Sequence, residues 1–143
     1  MKIQALIAGK KVQTISADAT IKTLVETLKT HRVGALVVSP DGTTIEGIVS
    51  ERDVVNALAN KFDSLNTLHV RDIMTVTLHT CTPDSTVSEI MTDMTQNRIR
   101  HIPVLDANKN LLSIVSIGDI VKHHVDELAG ENQALKDYVA SGS

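Results

Sequence analysis

Aromatic residues are almost absent from this chain of 143 residues, which has one phenylalanine, one tyrosine and no tryptophan. The hydrophobic fraction of 42% is ordinary for a globular protein, so the core must be built mainly from aliphatic side chains. A ligand with a ring system therefore cannot depend on aromatic stacking. The length fits one compact domain with a real hydrophobic core.

Cysteine, positive charge and long apolar runs are also scarce. Cys81 is the only cysteine, which excludes an intrachain disulfide and favours a small buried hydrophobe over a reactive thiol. The net charge of −3 has the wrong sign for a nucleic-acid surface. The apolar run at the start is too short for a signal peptide, and no stretch reaches the roughly 20 apolar residues that span a bilayer. We therefore expect a cytoplasmic protein without a membrane or nucleic-acid partner.

Patterns typical of catalysis and metal binding are missing as well. The six histidines form neither an HExxH motif nor a Cys/His cluster with the spacing of metal ligands. The sequence also contains no Gly-x-Ser-x-Gly elbow, no P-loop and no GxGxxG. It therefore predicts a protein that is not an enzyme and that holds neither a catalytic cofactor nor a metal ion.

What the chain does contain is an internal repeat with a constant offset of 66 residues. Ser50–Asp53 (SERD) returns as Ser116–Asp119 (SIGD), and the same offset relates Thr14 to Thr80. Repeats of this length usually each form one supersecondary unit that buries its apolar face against the next copy. Two copies predict a body with pseudo-twofold symmetry, in which any cleft between the copies occurs twice.

Each copy is predicted to follow the order β-α-β-β-α, which makes the fold class α/β (α+β). The predicted strands are Val12–Ile15, Ala35–Ser39, Ile45–Ser50, Leu78–Cys81, His101–Leu105 and Leu111–Ser116. Helical spacing of apolar residues predicts the first helix of each copy. These residues are Ile21, Leu24, Val25 and Leu28 in the first copy, and Val87, Ile90, Met91 and Met94 in the second. Asp18 and Asp84 are placed to cap these helices.

The second helix of each copy is predicted to begin just after Ser50 or Ser116. The earlier one should end near Phe62, and a short helical turn at Val70–Met74 opens the second copy. We therefore assign residues 1–62 to the first repeat, 63–67 to a linker, 68–122 to the second repeat and 123–143 to a helical tail.

The tail carries apolar residues at alternating spacings of four and three, which places them on one stripe of a helix. They are Val121, Val125, Leu128, Leu135 and Val139, with Asn132 in the one vacant position of the stripe. The stripe is shorter than three heptads, which is short for an autonomous coiled coil. It packs either on the chain's own domain or on a dimer mate, where Asn132 would set the register.

The repeated Ser-x-x-Asp has two interpretations. A serine at the N-cap with an acid three residues later forms a capping box, which is a purely structural role. The same position also attracts phosphate, because a helix N-terminus presents free N–H groups and the positive end of the dipole. Arg52 at the start of one helix opposes that dipole, so an anion explains it better than capping does. In the second copy, Arg100 and His101 stand at the entry to the predicted strand that contains Pro103.

Five segments of the chain occur in an order that is characteristic when duplicated, although no single segment is specific. They are Gly47–Asp53, Val70–Thr75, Pro83–Val87, Arg100–Val104 and Ile114–Asp119. In this order the sequence resembles a tandem pair of cystathionine-β-synthase (CBS) domains, the Bateman module, of the small free-standing bacterial type. The resemblance covers nearly the whole chain.

The resemblance implies two CBS units packed around a pseudo-twofold axis, with two clefts for adenosine-containing ligands. Asp53 and Asp119 would hold the ribose hydroxyls, and aliphatic walls would hold adenine. The residues implied for the first cleft are Thr14, Ile15, Gly34, Ala35, Ser50, Arg52 and Asp53. Those implied for the second cleft are Thr80, Cys81, Arg100, His101, Pro103, Ser116 and Asp119.

The two copies differ at matched positions in these clefts. Gly34 and Ala35 stand where the second copy has Arg100 and His101, so the two clefts should differ in affinity. We expect a regulatory protein that binds AMP, ADP, ATP or NAD(H) as its ligand. We also expect it to form a homodimer and to regulate a partner protein. The alternative is a constitutive structural or adaptor subunit, in which the Ser-x-x-Asp residues only cap helices.

Overall fold

The computed structural model describes residues 1–141, and these form two similar halves in sequence order. The elements are α1 (Ile3–Ile7), β1 (Thr14–Ile15), α2 (Ile21–His31), β2 (Ala35–Val38), β3 (Gly47–Ser50), α3 (Glu51–Asn60), a 3-10 helix (Phe62–Thr67), α4 (Val70–Ile73), α5 (Val87–Asn97), β4 (His101–Leu105), β5 (Leu111–Ser116) and α6 (Ile117–Ser141). The mixture of helix and strand confirms the predicted α+β class. The stretch predicted as a linker lies entirely within the 3-10 helix. The last two residues of the predicted tail lie outside the described range.

Helices α2 and α5 bury the faces that their apolar spacing predicts. The buried residues are Ile21, Leu24, Leu28, Val87, Ile90 and Met94. The prediction that aspartates cap these helices was wrong. Thr20 and Thr86 are the N-caps, and each side-chain oxygen accepts a backbone N–H three residues later at 3.1 Å. A cap must directly precede the first helical residue, and Asp18 and Asp84 come two residues too early.

The strands form two small sheets. β1 pairs in parallel with β2, and β2 pairs antiparallel with β3. β4 and β5 form an antiparallel pair over the predicted residues. The strand predicted at Leu78–Cys81 is reduced to a single bridge between Cys81 and Val104. Pro103 has no N–H with which to extend this ladder towards the residues before Cys81.

The two short helices α1 and α4 are exchanged between the halves. Ile3 of α1 is fully buried in the core cluster of the second half, and its N–H donates to the Ser85 carbonyl at 2.8 Å. Val70 of α4 is fully buried in the core cluster of the first half, and its N–H donates to the Ala19 carbonyl at 2.9 Å. Each repeat therefore completes its core with a helix that precedes the other repeat in the chain.

Matched positions 47 and 113 are under different constraints. A Cβ on Gly47 would lie 2.8 Å from the Thr75 carbonyl oxygen, closer than real contacts allow. Ser113 is 1% exposed, and its hydroxyl has no hydrogen-bond partner among residues 1–141. An unpaired buried hydroxyl is destabilising.

Ser113→Ala is therefore expected to raise the free energy of unfolding by about 1 kcal/mol, because it removes the unpaired hydroxyl while it keeps the Cβ. Gly47→Ala should lower that free energy, because the new methyl group collides with backbone. Denaturant unfolding of the two variants beside the parent chain measures both effects. A Ser113→Ala variant less stable than the parent would contradict the prediction.

Helix α6 leaves the body soon after it begins. Ile120 is the one buried residue of α6, and every described residue from His124 onward is exposed. Along the predicted stripe, Leu128 is 52% and Leu135 is 61% exposed. Within residues 1–141 the tail therefore does not pack on its own domain, which removes one of the two alternatives.

Candidate functional site

Both Ser-x-x-Asp motifs form capping boxes at helix starts. The Asp53 N–H donates to Ser50 Oγ at 3.4 Å, and Asp53 Oδ2 accepts the Ser50 N–H at 2.9 Å. The second copy repeats this arrangement, with 3.1 Å from the Asp119 N–H to Ser116 Oγ and 2.9 Å from the Ser116 N–H to Asp119 Oδ2. The structural interpretation of the motif is therefore correct in both copies.

These two helix starts face a common cavity of about 460 Å³ between the repeats. This volume is within the range of small-molecule sites, about 300–1,000 Å³. Half of the residues implied by the resemblance line it, and they come from both implied clefts. These residues are Gly34, Ser50, Arg52, Asp53, Arg100, His101 and Ser116. We call this space the central cavity.

The other implied residues do not line the central cavity. Ile15, Ala35, Cys81 and Pro103 are buried in the body, because each lies on a strand segment that packs inward. Burial raises the pKa of the Cys81 thiol to about 11, with a smaller contribution from the charge of Asp93. This thiol behaves as a core hydrophobe, as the sequence predicts. Thr14, Thr80 and Asp119 also lie outside the lining.

The charges in the central cavity are suited to an anion. Arg52, Arg98 and Arg100 line it, and the acidic residues in the lining are Glu51 and Asp53. The cavity thus has a local excess of positive charge, although the whole chain has a net charge of −3. Such a local excess attracts anions. Arginine is well suited to phosphate because its planar guanidinium donates two parallel hydrogen bonds.

Arg98 and its counterpart Arg32 also end helices. Both have φ of 53° in the left-handed region, and they cap α5 and α2 respectively. This backbone conformation costs an L-residue about 1–2 kcal/mol. The two arginines therefore share a backbone role at the ends of their helices. Only Arg98 lines the central cavity, whereas Arg32 lines a separate groove beside α2.

Lys10 distinguishes the two aspartates of the repeated motif. Its Nζ donates to Asp119 Oδ2 at 2.5 Å and to the Ile114 carbonyl at 2.8 Å. Burial acts to raise the pKa of Asp119, but the hydrogen bonds from Lys10 and Ser116 prevail and the pKa is lowered. Asp119 is therefore an ionised, already paired carboxylate, whereas Asp53 forms part of the cavity wall.

His101 of the second half lies beside Gly34 of the first half. A Cβ on Gly34 would be 3.4 Å from His101 Cε1, so a glycine at this position leaves room for the imidazole ring. Burial lowers the pKa of His101, and the neighbouring charge of Lys10 lowers it further. The ring is therefore neutral at neutral pH and can both donate and accept a hydrogen bond.

Sequence reasoning missed part of the cavity wall. The missed residues are Ile48, Glu51, Thr75, Thr77, Leu78, His79, Arg98, Ile99, Ile117 and Gly118. Thr75 and Thr77 follow α4, which resembles the α1 segment one residue out of the main offset. That second offset of 67 places Lys10 opposite Thr77 and could have marked the segment after α4 as part of the site.

Neither a metal site nor a membrane span is found in the described part of the chain. Residues 1–141 contain no group of three or more His, Cys, Asp or Glu side chains that could hold a metal ion. No helix in this range has the length and apolar character needed to cross a bilayer.

Comparison with protein-family models decides the family. The model described as "CBS domain" matches twice, at residues 6–60 and 70–126. The chain belongs to the CBS-domain family. The two matches coincide with the two repeats, so the chain is a CBS pair and the resemblance drawn from its sequence is confirmed.

A curated relative of this CBS pair is the mitochondrial CBS domain-containing protein CBSX3 of Arabidopsis thaliana. The two sequences are 40% identical over 131 residues, which cover 89% of this chain and 63% of that protein. The CBS pair thus spans less than two thirds of this relative. A second relative, YhcV of Bacillus subtilis, is 29% identical over 123 residues, which cover 85% of this chain and 83% of YhcV.

Solved structures confirm the pairing of the two repeats. The CBS-domain containing protein ATU1752 from Agrobacterium tumefaciens has a TM-score of 0.81 at 33% identity, over 87% of this chain and 99% of that one. The CBS domain protein PAE2072 from Pyrobaculum aerophilum, described as complexed with AMP, has a TM-score of 0.75 at 26% identity. That match covers 83% of this chain and 89% of PAE2072.

Proposed function

We propose that this CBS pair is a regulatory protein, without catalytic activity, that binds an adenine nucleotide in the central cavity. The observation that carries the proposal is the composition of the cavity wall. Three arginines, two N-cap serines, one aspartate and an aliphatic surface meet in a space the size of a small-molecule site. This combination matches the phosphate, ribose and base of a nucleotide.

Each part of the nucleotide has a partner in the wall. Arg52, Arg98 and Arg100 would bind the phosphate, together with the free N–H groups at the starts of α3 and α6. Asp53 would accept the ribose hydroxyls, because its hydrogen bonds within the chain all go to Oδ2. The base would lie against Ile48, Leu78, Ile99 and Ile117, none of which is aromatic.

AMP is the first candidate ligand, and ADP, ATP and NAD(H) are the others. The AMP complex of PAE2072, whose sequence is 26% identical, supports an adenosine ligand in a pair of this kind. Lys10 already neutralises the charge of Asp119, so this carboxylate would bind a second ribose more weakly than Asp53 binds the first. The asymmetry predicted for the two clefts thus has a physical basis in the Lys10–Asp119 pair.

Ligand binding would act by a shift in population. The wall of the central cavity contains Gly34 and Arg52 of the first repeat and Arg100 and His101 of the second. A nucleotide that contacts both repeats favours the arrangement in which these contacts coexist, and a partner protein can respond to the difference. We propose that the pair performs this role in the cytoplasm as a homodimer.

A constitutive adaptor is the second candidate function. The two complete capping boxes favour it, because the serine and aspartate of each motif already cap a helix in the ligand-free chain. These residues are Ser50, Asp53, Ser116 and Asp119. An adaptor would bind its partner equally well with and without nucleotide. It would also gain no stability from nucleotides.

A nucleotide panel separates the two functions. AMP at 100 times its dissociation constant is expected to add about 2.7 kcal/mol to the free energy of unfolding, which raises the melting temperature by several degrees. GMP tests recognition of the base, and inorganic phosphate tests the charge alone. If no adenine nucleotide at millimolar concentration raises the melting temperature, the adaptor function replaces the sensor.

Arg98→Gly should separate stability from ligand binding. Glycine relieves the left-handed backbone strain, so the ligand-free variant should melt at the same temperature as the parent or above it. The loss of the guanidinium should weaken AMP binding about tenfold, because a hydrogen bond to a charged group contributes about 1.5 kcal/mol or more. Arg32→Gly is the matched control, because it makes the same backbone change outside the central cavity. Equal AMP affinity for both variants, measured by calorimetry, would contradict the role of Arg98.

A further inference from the structure

Residues 124–141 of α6 are exposed throughout. At 1.5 Å per residue this segment extends roughly 27 Å from the body. Isolated helices of this length are marginal in water, and Gly130 lowers the propensity by about a further 1 kcal/mol. Val125, Leu128 and Leu135 are each more than half exposed. This segment therefore needs a second surface.

The heptad positions along the helix identify that surface. The a positions are Val125, Asn132 and Val139, and the d positions are Val121, Leu128 and Leu135. A β-branched residue at a with leucine at d favours two parallel strands, and one asparagine at an a position selects the register and the dimer. The pattern therefore specifies a second copy of the same helix.

The charged residues beside this apolar stripe distinguish a parallel pair of helices from an antiparallel one. Glu131 occupies a g position, and Lys122 and Lys136 occupy e positions. In a parallel pair, g meets the e position of the next heptad on the other helix, so Glu131 faces Lys136 of the second copy. An antiparallel pair in which the six a and d residues stay in contact brings Glu131 against Glu131 and Lys122 against Lys136. Like charges in these positions are repulsive.

We infer that α6 pairs with α6 of a second copy as a parallel, two-stranded coiled coil, with Asn132 facing Asn132 and Glu131 facing Lys136. The twofold axis then runs along the coil, and both CBS bodies lie at the same end of it. This inference rests on the self-association in the proposed function but not on nucleotide binding. A nucleotide titration of the same samples shows separately whether ligand binding fails.

Disulfide trapping of the full-length chain tests the orientation. In the parallel register, position 135 lies opposite position 135, and opposed d positions approach closely enough for a disulfide. Leu135→Cys alone should therefore give a covalent dimer with oxidised glutathione. Cys81 does not compete, because it is buried. In the antiparallel register, position 135 lies opposite 125, so only a mixture of Leu135→Cys and Val125→Cys would link. Linking only in the mixture would overturn the inference.

Charge exchange tests the contacts beside the seam. Lys136→Glu should weaken self-association about tenfold in sedimentation, because two Glu131–Lys136 pairs become Glu–Glu pairs. Glu131→Lys should weaken it equally, and an equimolar mixture of the two variants should restore it. Asp137→Lys makes the same change of charge as Glu131→Lys, but on the outer face of the helix, and should have little effect. The antiparallel register predicts the opposite result for Lys136→Glu, since a Lys122–Lys136 repulsion would be relieved.

A monomeric parent chain at about 100 μM, with and without AMP, would also overturn the inference. A dimer that neither links through Leu135→Cys nor responds to Lys136→Glu would show that another surface forms the interface. Covalent linking of Leu135→Cys together with restoration in the charge mixture supports the parallel coil.

Discussion

The double variant Arg52→Ala, Arg100→Ala is expected to bind AMP about 100-fold more weakly than the parent chain. Each guanidinium lines the central cavity, and neither forms an ion pair with a carboxylate within residues 1–141. Both are therefore available to phosphate. A hydrogen bond to a charged group contributes about 1.5–3 kcal/mol, or roughly tenfold or more in affinity for each arginine.

The single variants test how the two repeats share the ligand. The resemblance assigned Arg52 and Arg100 to separate clefts, whereas the structure places them around one cavity. Each single variant should therefore weaken the same binding event about tenfold in calorimetry. Arg32→Ala is the control, because this arginine is outside the cavity. Variants that weaken two distinct events would instead support two independent sites. Melting temperatures of the ligand-free variants should stay close to that of the parent.

The second large effect concerns stability. Ile3→Ala is expected to lower the free energy of unfolding by about 3 kcal/mol, because a fully buried isoleucine leaves a cavity when truncated. Ile3 is 0% exposed and lies among Val87, Ile90 and Ile102 of the other repeat.

Ile117→Ala supplies the control for this prediction. It makes the same chemical change at a residue that is 45% exposed, so it should cost well under half as much. Urea unfolding followed by circular dichroism measures both variants. An Ile3→Ala variant as stable as the Ile117→Ala variant would show that α1 is not part of the core of the second repeat.

Features set by short stretches of chain could be predicted. The apolar spacing of α2 and α5, the capping boxes after Ser50 and Ser116, and the bounds of β4 and β5 all follow from residues within a few positions of one another. The prediction that Asp18 and Asp84 are caps was wrong by two positions. Thr20 and Thr86 have the same acceptor chemistry and directly precede the helices, and local propensity did not distinguish between them.

Features set by contacts between distant residues could not be predicted. Val12–Ile15 and Leu78–Cys81 look equivalent in sequence, yet only the first contains a paired strand, at Thr14–Ile15. Pro103 limits the ladder beside the second. The pairing of Lys10 with Asp119 joins residues 109 positions apart. No local pattern marks such a contact, so the inequality of the two aspartates depended on the packed structure.

The sequence by itself determined the duplication, the family and the residue types available for a ligand, because these depend on the order of residues alone. The tertiary structure decided which half each short helix completes, which residues of the two implied clefts share one cavity, and that the tail stripe lies away from its own body. These outcomes depend on how two nearly equivalent surfaces pack together. A repeat offers each segment two similar docking sites, and only the balance of packing over the whole molecule selects one.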